Sequence, residues 1–229
     1  MDLALTRLLS HLSSPSRRIS DSAIRRLSRY VRELEAMEAA GEGTVPSRVL
    51  AARAGTTAAQ VRKDFSSFGS FGKRGMGYAV SPLRERLSTI LGVDRRWPVL
   101  LVGAGRVGSA LFEYPRFRSR GFDFVAVLDH SPEKVGREWK GMRIEHVRDV
   151  ARIVPERGIR IAILAVPGPE AQKVAEDLVS AGVRGILNFA PTKLRMPPGV
   201  AVNDVDLVME LEALSFLLSS GGKMAEGPE

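Results

Sequence analysis

A glycine-rich segment at Gly103–Gly108 has the residue types and spacing to bind a phosphate group. It reads Gly-Ala-Gly-Arg-Val-Gly, with the apolar run VLLV before it and SALFEY after it. In a strand-to-helix setting the first glycine makes the tight turn and the second lets the backbone approach a pyrophosphate. The third allows the helix to pack against the strand. The spacing predicts a dinucleotide-binding turn made of Gly103, Ala104, Gly105, Arg106, Val107 and Gly108.

An acidic residue follows at a suitable distance. Asp129 ends the apolar run FDFVAVLD, and His130 comes directly after it. A carboxylate there accepts hydrogen bonds from the adenosine ribose hydroxyls and repels a 2′-phosphate, so it favours NAD over NADP. The alternative is a Rossmann-like domain that binds another nucleotide, such as the CoA of ligase subunits.

A proton donor for hydride transfer is not evident. His11 lies in the N-terminal tail, His130 at the adenosine end, and His146 near a predicted strand edge, away from any strand C-terminus that the sequence predicts. Tyr114 is followed at the Tyr-x-x-x-Lys spacing by Arg118, and no cysteine is present to serve as a nucleophile or zinc ligand. We expect a nicotinamide site without catalytic machinery, in which the dinucleotide is a ligand to be sensed. The alternative is an NAD(P)-dependent oxidoreductase with a basic N-terminal extension.

A second set of candidate residues lies upstream, in the helix-forming run 57–68 and the glycine-rich run 68–78. Amide and guanidinium groups can bond base edges, while lysine and hydroxyl groups suit phosphates. Four glycines flank Lys73 and Arg74, which predicts a wing that reaches the DNA backbone or the adjacent minor groove. The predicted DNA-binding residues are Thr57, Gln60, Arg62, Lys63, Ser66, Lys73 and Arg74.

The distribution of charge supports two different partners. The net charge is +8; residues 1–93 hold 15 Lys/Arg and 8 Asp/Glu, or +7, and the remaining 19 Lys/Arg and 18 Asp/Glu give +1. A basic region joined to a nearly neutral one indicates that the first meets the phosphate backbone of a nucleic acid and that the second has another role. The alternative is a small helical domain with a solvated basic face.

Helical periodicity positions the basic residues. An apolar stripe follows the capping residues Ser20 and Asp21 and ends near Gly41, and a shorter helix is predicted at 46–54. With the helix at 57–68 and the wing, this order predicts a winged helix-turn-helix domain over residues 19–93, whose third helix enters the major groove.

From Val99 onward, apolar strands alternate with helices. This pattern predicts an α/β, doubly wound Rossmann-like domain over residues 94–205. A helix at 206–219 is apolar around most of its circumference, so we expect a dimerisation helix buried against a partner subunit. Tails at 1–18 and 220–229 are predicted to be disordered. No apolar run reaches the ~18 residues that span a bilayer, and no secretory signal is evident, so we expect a cytoplasmic protein.

Several longer segments resemble one family. QVRKDFSSFGSFGKRGMGY, VGAGRVGSAL, AQKVAEDLVSAGVRGILNFAP and NDVDLVMELEALSF are similar to the Rex family of redox-sensing transcriptional repressors, from about residue 19 to 219. The resemblance implies a homodimer that binds a palindromic operator and represses genes of NADH-consuming metabolism. It also implies that NADH releases the DNA and that NAD⁺ competes at the same site.

The resemblance also implies residue roles. Tyr114 matches a tyrosine near the nicotinamide, Asp206 an aspartate supplied by the partner subunit, and Arg32 an arginine that pairs with that aspartate in the DNA-released form. Together these three form the expected switch. Asn203-Asp204-Val205-Asp206 departs from the family's Asn-Val-Asp, and Asp129-His130 replaces the more usual Asp-Val. We expect the nicotinamide to lie near Tyr114, Ala165, Val166, Pro167 and Asn188, on loops 165–168 and 188–191.

Overall fold

The computed structural model describes residues 20–69 and 77–219, in two compact units whose boundary falls between Arg95 and Arg96. The expected tails at 1–18 and 220–229 lie outside the described residues, as do Lys73 and Arg74 of the expected wing.

Four helices form the first unit. They are α1 (Asp21–Ala39), α2 (Ser47–Arg53), α3 (Ala58–Ser66) and α4 (Val80–Leu91). Ser20 caps α1 and Thr57 caps α3 through their hydroxyl oxygens, as short polar residues do at helix starts. The apolar stripe of α1 is buried against the other helices, with Leu27, Leu34 and Met37 at its centre.

A short antiparallel ribbon pairs the segment before α2 with the segment before α4. β1 (Thr44–Val45) pairs with β2 (Tyr78–Ala79), which directly follows the glycine-rich run. The sequence did not predict β1, because a strand of two residues has no measurable periodicity. The ribbon fixes where the segment that follows α3 returns to the domain.

A seven-stranded sheet forms the second unit. Its strands are β3 (Trp97–Val102), β4 (Phe122–Asp129), β5 (Glu138–Trp139), β6 (Met142–His146), β7 (Ile161–Leu164), β8 (Gly185–Asn188) and β9 (Ala201–Asp204). Their order is β5-β6-β4-β3-β7-β8-β9, and every pair except β5–β6 is parallel. The switch point of this doubly wound sheet therefore lies between β3 and β7, where ligands bind outside the carboxyl ends of the strands.

The helices of this unit connect the parallel strands. They are α5 (Arg106–Phe112), α6 (Pro115–Ser119), α7 (Val150–Glu156) and α8 (Gly168–Ala181). The central strands are buried because helices cover the sheet, which explains the continuous apolar run VLLV in β3.

The hairpin of β5 and β6 was not predicted. Lys140 and Gly141 turn the chain between these two strands, with positive φ angles of 53° and 79°. β6 reads MRIEH and buries only Ile144, so its alternation is weak. The hairpin corrects the placement of His146, which ends β6 opposite Asp129 and so lies at the carboxyl edge of the sheet.

The last helix, α9 (Leu207–Ser219), is exposed along its whole length in the single chain. Asp206 precedes it and its Oδ1 accepts the backbone N–H groups of Val208 and Met209, at 2.9 and 3.3 Å. Its large exposed apolar side chains are Leu207, Val208, Met209, Leu211, Leu214, Phe216, Leu217 and Leu218. Within residues 20–69 and 77–219, no helix is long and apolar enough to cross a membrane.

The first prediction concerns two glycines of the turn. Gly103 has φ +101°, and an added Cβ would lie 2.3 Å from the Ala165 carbonyl oxygen. Gly103→Ala is expected to lower the free energy of unfolding by about 1–3 kcal/mol or more. Gly105 has φ −88° and nothing within 4 Å of an added Cβ, so Gly105→Ala should leave stability unchanged. Urea unfolding of both variants checks this, and equal stability of the two would contradict it.

Candidate dinucleotide and nucleic-acid sites

The Gly103–Gly108 turn is held between the two strands that flank β3. The Gly103 N–H donates to the Leu128 carbonyl at the end of β4, and the Ala165 N–H donates to the Val102 carbonyl. A Cβ at Gly108 would lie 1.9 Å from the Gly103 carbonyl oxygen, so α5 approaches the turn as closely as glycine permits. Gly105 faces open space, and Arg106 and Val107 are exposed. The turn therefore has room for a phosphate against its backbone.

Asp129 is tied directly to this turn. Its side chain is 4% exposed; Oδ2 accepts the Ala104 N–H at 2.9 Å and the Lys134 ammonium at 3.0 Å, and Oδ1 accepts the Ser131 N–H at 2.9 Å. A carboxylate oxygen has two acceptor positions, so Oδ1 can take a further hydroxyl donor. The arrangement fits a ribose hydroxyl, and displacement of Lys134 would release a second acceptor position. Sequence reasoning missed Lys134, since nothing in its spacing indicates a partner five residues back.

The electrostatics keep Asp129 ionised. Burial acts to raise its pKa, but the Ser131 N–H, the Lys134 ammonium and the Ala104 N–H together outweigh burial and hold the pKa below its usual range. An ionised carboxylate is the form that accepts two ribose hydroxyls.

The two described histidines lie at the Asp129 side of the sheet. His130 Nδ1 is 3.5 Å from a carboxylate oxygen of Glu170 and 3.8 Å from one of Asp129. His146 accepts the Arg148 N–H at 3.1 Å and lies on β6, beyond β4 from the switch point. Its corrected position still leaves it at the adenosine end rather than beside β7 and β8.

The expected nicotinamide-side residues separate into two groups. Ala165, Val166 and Pro167 follow β7, and Pro167 is exposed at the start of α8. Asn188 is fully buried; its Nδ2 donates to the Thr192 carbonyl and to Asp204, and its Oδ1 accepts the Ala190 N–H. In this conformation the Asn188 amide is hydrogen-bonded to the loop after β8 and is not presented to a ligand.

Tyr114 lies apart from these loops in the single chain. It is 48% exposed and lines a cavity of about 440 Å³ with Phe112, Phe117 and Phe124. No residue of Gly103–Gly108 or Ala165–Pro167 lines that cavity. Asp206 is exposed at the start of α9, in a second cavity of about 550 Å³, and Arg32 is exposed on α1. The switch contacts that the resemblance implies between these residues stay a prediction.

The third helix of the first unit carries most of the expected DNA-binding side chains. Arg62, Lys63, Thr57 and Ser66 are exposed. Arg62 donates to the Ser47 hydroxyl at 3.2 Å, the Thr57 hydroxyl caps α3, and the Ser66 hydroxyl donates to the Lys63 carbonyl. The two cationic heads thus lie on the solvent side of the helix that the sequence assigns to the major groove.

Gln60 differs from its neighbours because its amide is engaged. Its Nε2 donates to Asp64 Oδ1 at 2.7 Å. Asp64 is itself 5% exposed, and Arg26 holds it through two bonds of 2.7 Å while Tyr30 donates at 2.9 Å. No sequence pattern singles out Arg26, Tyr30 or Asp64. Asp64 accepts hydrogen bonds from Arg26, 38 residues earlier, and from Tyr30, 34 residues earlier.

This network shifts the pKa of all three groups, and the hydrogen bond with Asp64 raises the pKa of Arg26. Burial acts to raise the pKa of Asp64, but hydrogen bonds from Arg26, Tyr30 and Gln60 hold it below its ordinary value. Burial and the neighbouring carboxylate raise the pKa of Tyr30 to about 12. The phenol therefore stays protonated and keeps donating to Asp64.

Both units of the chain match known protein families. Residues 94–192 match the CoA binding domain family, and residues 18–66 match the family described as putative DNA-binding protein N-terminus. The redox-sensing transcriptional repressor Rex of Thermus thermophilus is 48% identical over 201 residues, covering 88% of this chain and 94% of the relative. That of a Roseiflexus species is 44% identical over 199 residues, covering 87% and 90%. The chain belongs to the Rex family.

Solved structures of Rex-family proteins are similar over nearly the same length. RSP in complex with β-NAD⁺ and operator DNA has a TM-score of 0.84 and 35% identity, covering 89% of this chain and 94% of that one. RSP in complex with β-NADH has a TM-score of 0.78 and 33% identity, covering 89% and 96%. The predicted family and the predicted fold, an N-terminal DNA-binding domain with a Rossmann-like α/β domain, are confirmed. The relatives carry the name of repressors, which confirms the prediction of a regulator rather than an enzyme.

The second prediction concerns Tyr30. The pKa of an unfolded tyrosine is 10.0, whereas the pKa of Tyr30 in the folded chain is about 12. Between these values the folded state binds more protons, so the free energy of unfolding falls as pH rises through this window. Tyr30→Phe should remove this part of the alkaline loss of stability. Urea midpoints for both proteins across that window check it, and parallel pH curves would refute it.

Proposed function

We propose that this chain is a redox-sensing transcriptional repressor that binds a palindromic operator as a homodimer and releases it when NADH binds. The observation that carries the proposal is the contact between Asp129 and Ala104, which joins the glycine turn to a ribose-type carboxylate. The same chain carries a basic helix, α3, in a separate unit. Such a chain can respond to a dinucleotide and bind DNA without catalysing a reaction.

The dinucleotide would lie across the switch point between β3 and β7. The backbone of Gly103–Gly108 receives the pyrophosphate, and Asp129 receives the adenosine ribose. The nicotinamide end then extends toward the loop that begins at Ala165, where the expected contacts are Ala165, Val166 and Pro167. Assignment of these residues to the cofactor, and of α3 to the operator, is part of the proposal.

The redox form is distinguished by charge. The reduced nicotinamide ring is uncharged, whereas the oxidised ring carries a positive charge. Moving a charged ring out of water costs more free energy, so an apolar pocket closes more readily on NADH. NAD⁺ would occupy the same site with weaker closure.

The dimer follows from the exposed surface of α9. Its apolar side chains point in all directions around the helix and are 40–83% exposed in the single chain. A contiguous apolar surface of this kind marks a contact with another protein. We infer that α9 packs on the partner subunit, which also brings Asp206 to the partner's Tyr114 and Arg32. A rotation of the two subunits on NADH binding would then misplace the paired α3 helices relative to half-sites about one helical turn apart.

DNA binding also places the protein where the chromosome is. We therefore propose that it is cytoplasmic.

A second candidate is a CoA-responsive regulator, favoured by the CoA binding domain match over residues 94–192. The shift in unfolding temperature produced by NADH, NAD⁺, NADPH and CoA separates the two. The largest shift is expected with NADH, and a larger shift with CoA would favour the second candidate.

The third prediction is the redox response itself. NADH should weaken binding of the full chain to its operator, roughly 5- to 150-fold for a typical allosteric coupling, while the same concentration of NAD⁺ should weaken it far less. The operator is the palindromic duplex that the protein selects from a randomised library. Fluorescence anisotropy titrations measure the affinity. Unchanged operator affinity in saturating NADH would overturn the sensor proposal.

The fourth prediction separates the two sites. Gly105→Ala adds a methyl group where the pyrophosphate approaches, so it should lose NADH binding but bind the operator as well as the unmodified chain does. Lys63→Ala and Arg62→Ala remove DNA contacts, so each should weaken operator binding about tenfold or more and leave NADH binding unchanged. Lys173→Ala, on the exposed side of α8, is the matched control and should change neither. Loss of both functions in any one variant would contradict the separation.

A further inference from the structure

Gln60 is the third residue of α3, and its side-chain amide has a fixed orientation. Asp64 lies one turn later, and its Oδ1 is 2.7 Å from Gln60 Nε2. A carboxylate with a lowered pKa can only accept, so the NH₂ end of the amide must face Asp64. The amide oxygen and the second N–H of Gln60 are therefore directed away from Asp64.

Asp64 is in turn fixed by the first helix of the domain. Arg26 donates to both carboxylate oxygens, each at 2.7 Å, and Tyr30 donates to Oδ2 at 2.9 Å. With Gln60 added, each oxygen accepts two hydrogen bonds, and a carboxylate offers about four such positions. Asp64 cannot rotate without losing several bonds inside a site that is 5% exposed. The orientation of Gln60 is thus imposed by α1.

We propose that Gln60 reads one adenine in each half-site of the operator, and that Asp64 is the positioning residue that holds its amide for that contact. This inference rests on the proposed repressor function and specifies which residue supplies base recognition. The N-terminal residues of a recognition helix are those that contact base edges. A glutamine amide bonds an adenine through N6–H to the amide oxygen and amide N–H to N7.

The neighbouring side chains are less suited to this role. The Thr57 hydroxyl accepts the Gln60 N–H, and the Ser66 hydroxyl donates to the Lys63 carbonyl. Lys63 suits phosphates irrespective of sequence. The Arg62 guanidinium matches the two acceptors of guanine rather than the donor and acceptor of adenine. Gln60 offers an adjacent donor and acceptor on one edge, already ordered before DNA arrives, so less side-chain entropy is lost on binding.

The test is a base-pair scan with the full chain. A palindromic duplex selected by the protein from a randomised library is varied symmetrically, one base pair of each half-site at a time. For the unmodified chain, one A·T pair should show a loss of about tenfold or more that depends on Gln60. In Gln60→Ala this loss should disappear while discrimination at the other positions remains. Ser67→Ala, an exposed neighbour at the end of α3, is the matched control and should keep the whole pattern.

The role of Asp64 is tested by discrimination at that A·T pair, because loss of a purely structural residue would not change discrimination at one base pair alone. Asp64→Asn keeps the volume but no longer demands a donor from Gln60, so it should lose discrimination at that same A·T pair alone. Tyr30→Phe removes one of the four hydrogen bonds to Asp64 and keeps the bond from Gln60, so the loss of discrimination at that A·T pair should be smaller than in Asp64→Asn. If Asp64→Asn instead weakened binding to every duplex of the scan by the same factor, Asp64 would have a purely structural role and its positioning role would be overturned.

A measurement on the unmodified chain covers the case in which Asp64→Asn does not fold. The side-chain amide of Gln60 should give rigid, slowly exchanging NMR signals without DNA, and a mobile amide would overturn the positioning role. If Gln60→Ala kept full discrimination at every base pair of the scan, the proposed contact between Gln60 and adenine would be overturned. If the unmodified chain selects no duplex at all, the proposed repressor function fails as well, which separates the two failures.

Discussion

Asp129 is the group on which the second unit depends, because one buried carboxylate determines the shape of the glycine turn. The Ala104 N–H, the Ser131 N–H and the Lys134 ammonium all converge on it. A buried charge is costly unless it is fully hydrogen-bonded, so these three donors keep the carboxylate in place and ionised. The turn is thereby held in the conformation that leaves Gly105 open to a ligand.

The first unit also contains a buried carboxylate whose hydrogen bonds hold neighbouring elements in place. Asp64 is buried and satisfied by Arg26, Tyr30 and Gln60, which joins α1 to the helix that carries the basic residues. Removing one partner from such a site would leave a buried donor or acceptor unpaired, which costs about 1–3 kcal/mol. α3 is therefore held by polar contacts as well as by its apolar face, and its angle to α1 is set by directed bonds. The proposed repressor dimer would need this rigidity, because its two α3 helices would have to match two half-sites at once.

The sequence predicts the parts of this structure whose signals are local. The G-x-G-x-x-G spacing, the cap at Ser20 and the apolar strand before Gly103 each depend on neighbouring residues, and the structure has them where the patterns indicate. β1 and β5 were missed because strands of two residues carry no period, and β6 was missed because its alternation is weak. Lys134 and the Arg26–Asp64 pair were missed because a side-chain contact between distant segments leaves no pattern in one sequence. His146 was misplaced for the same reason, since its position follows from the missed strand β6. The sequence thus predicts the turn after β3 and the carboxylate that ends β4, which a hydrogen bond joins in the structure, but it does not predict the groups that hold these residues in position.

The central claim is that a dinucleotide site and a DNA-binding helix in one chain are energetically coupled. Coupling between two equilibria is reciprocal, so operator DNA must weaken NADH binding by the same factor by which NADH weakens operator binding. The most direct measurement is the Kd of NADH for the full chain with and without saturating operator duplex, beside a scrambled duplex of equal length. The account predicts that the operator raises this Kd by the factor found in the operator titration, and that the scrambled duplex does not. An NADH affinity unchanged by the operator would contradict the account.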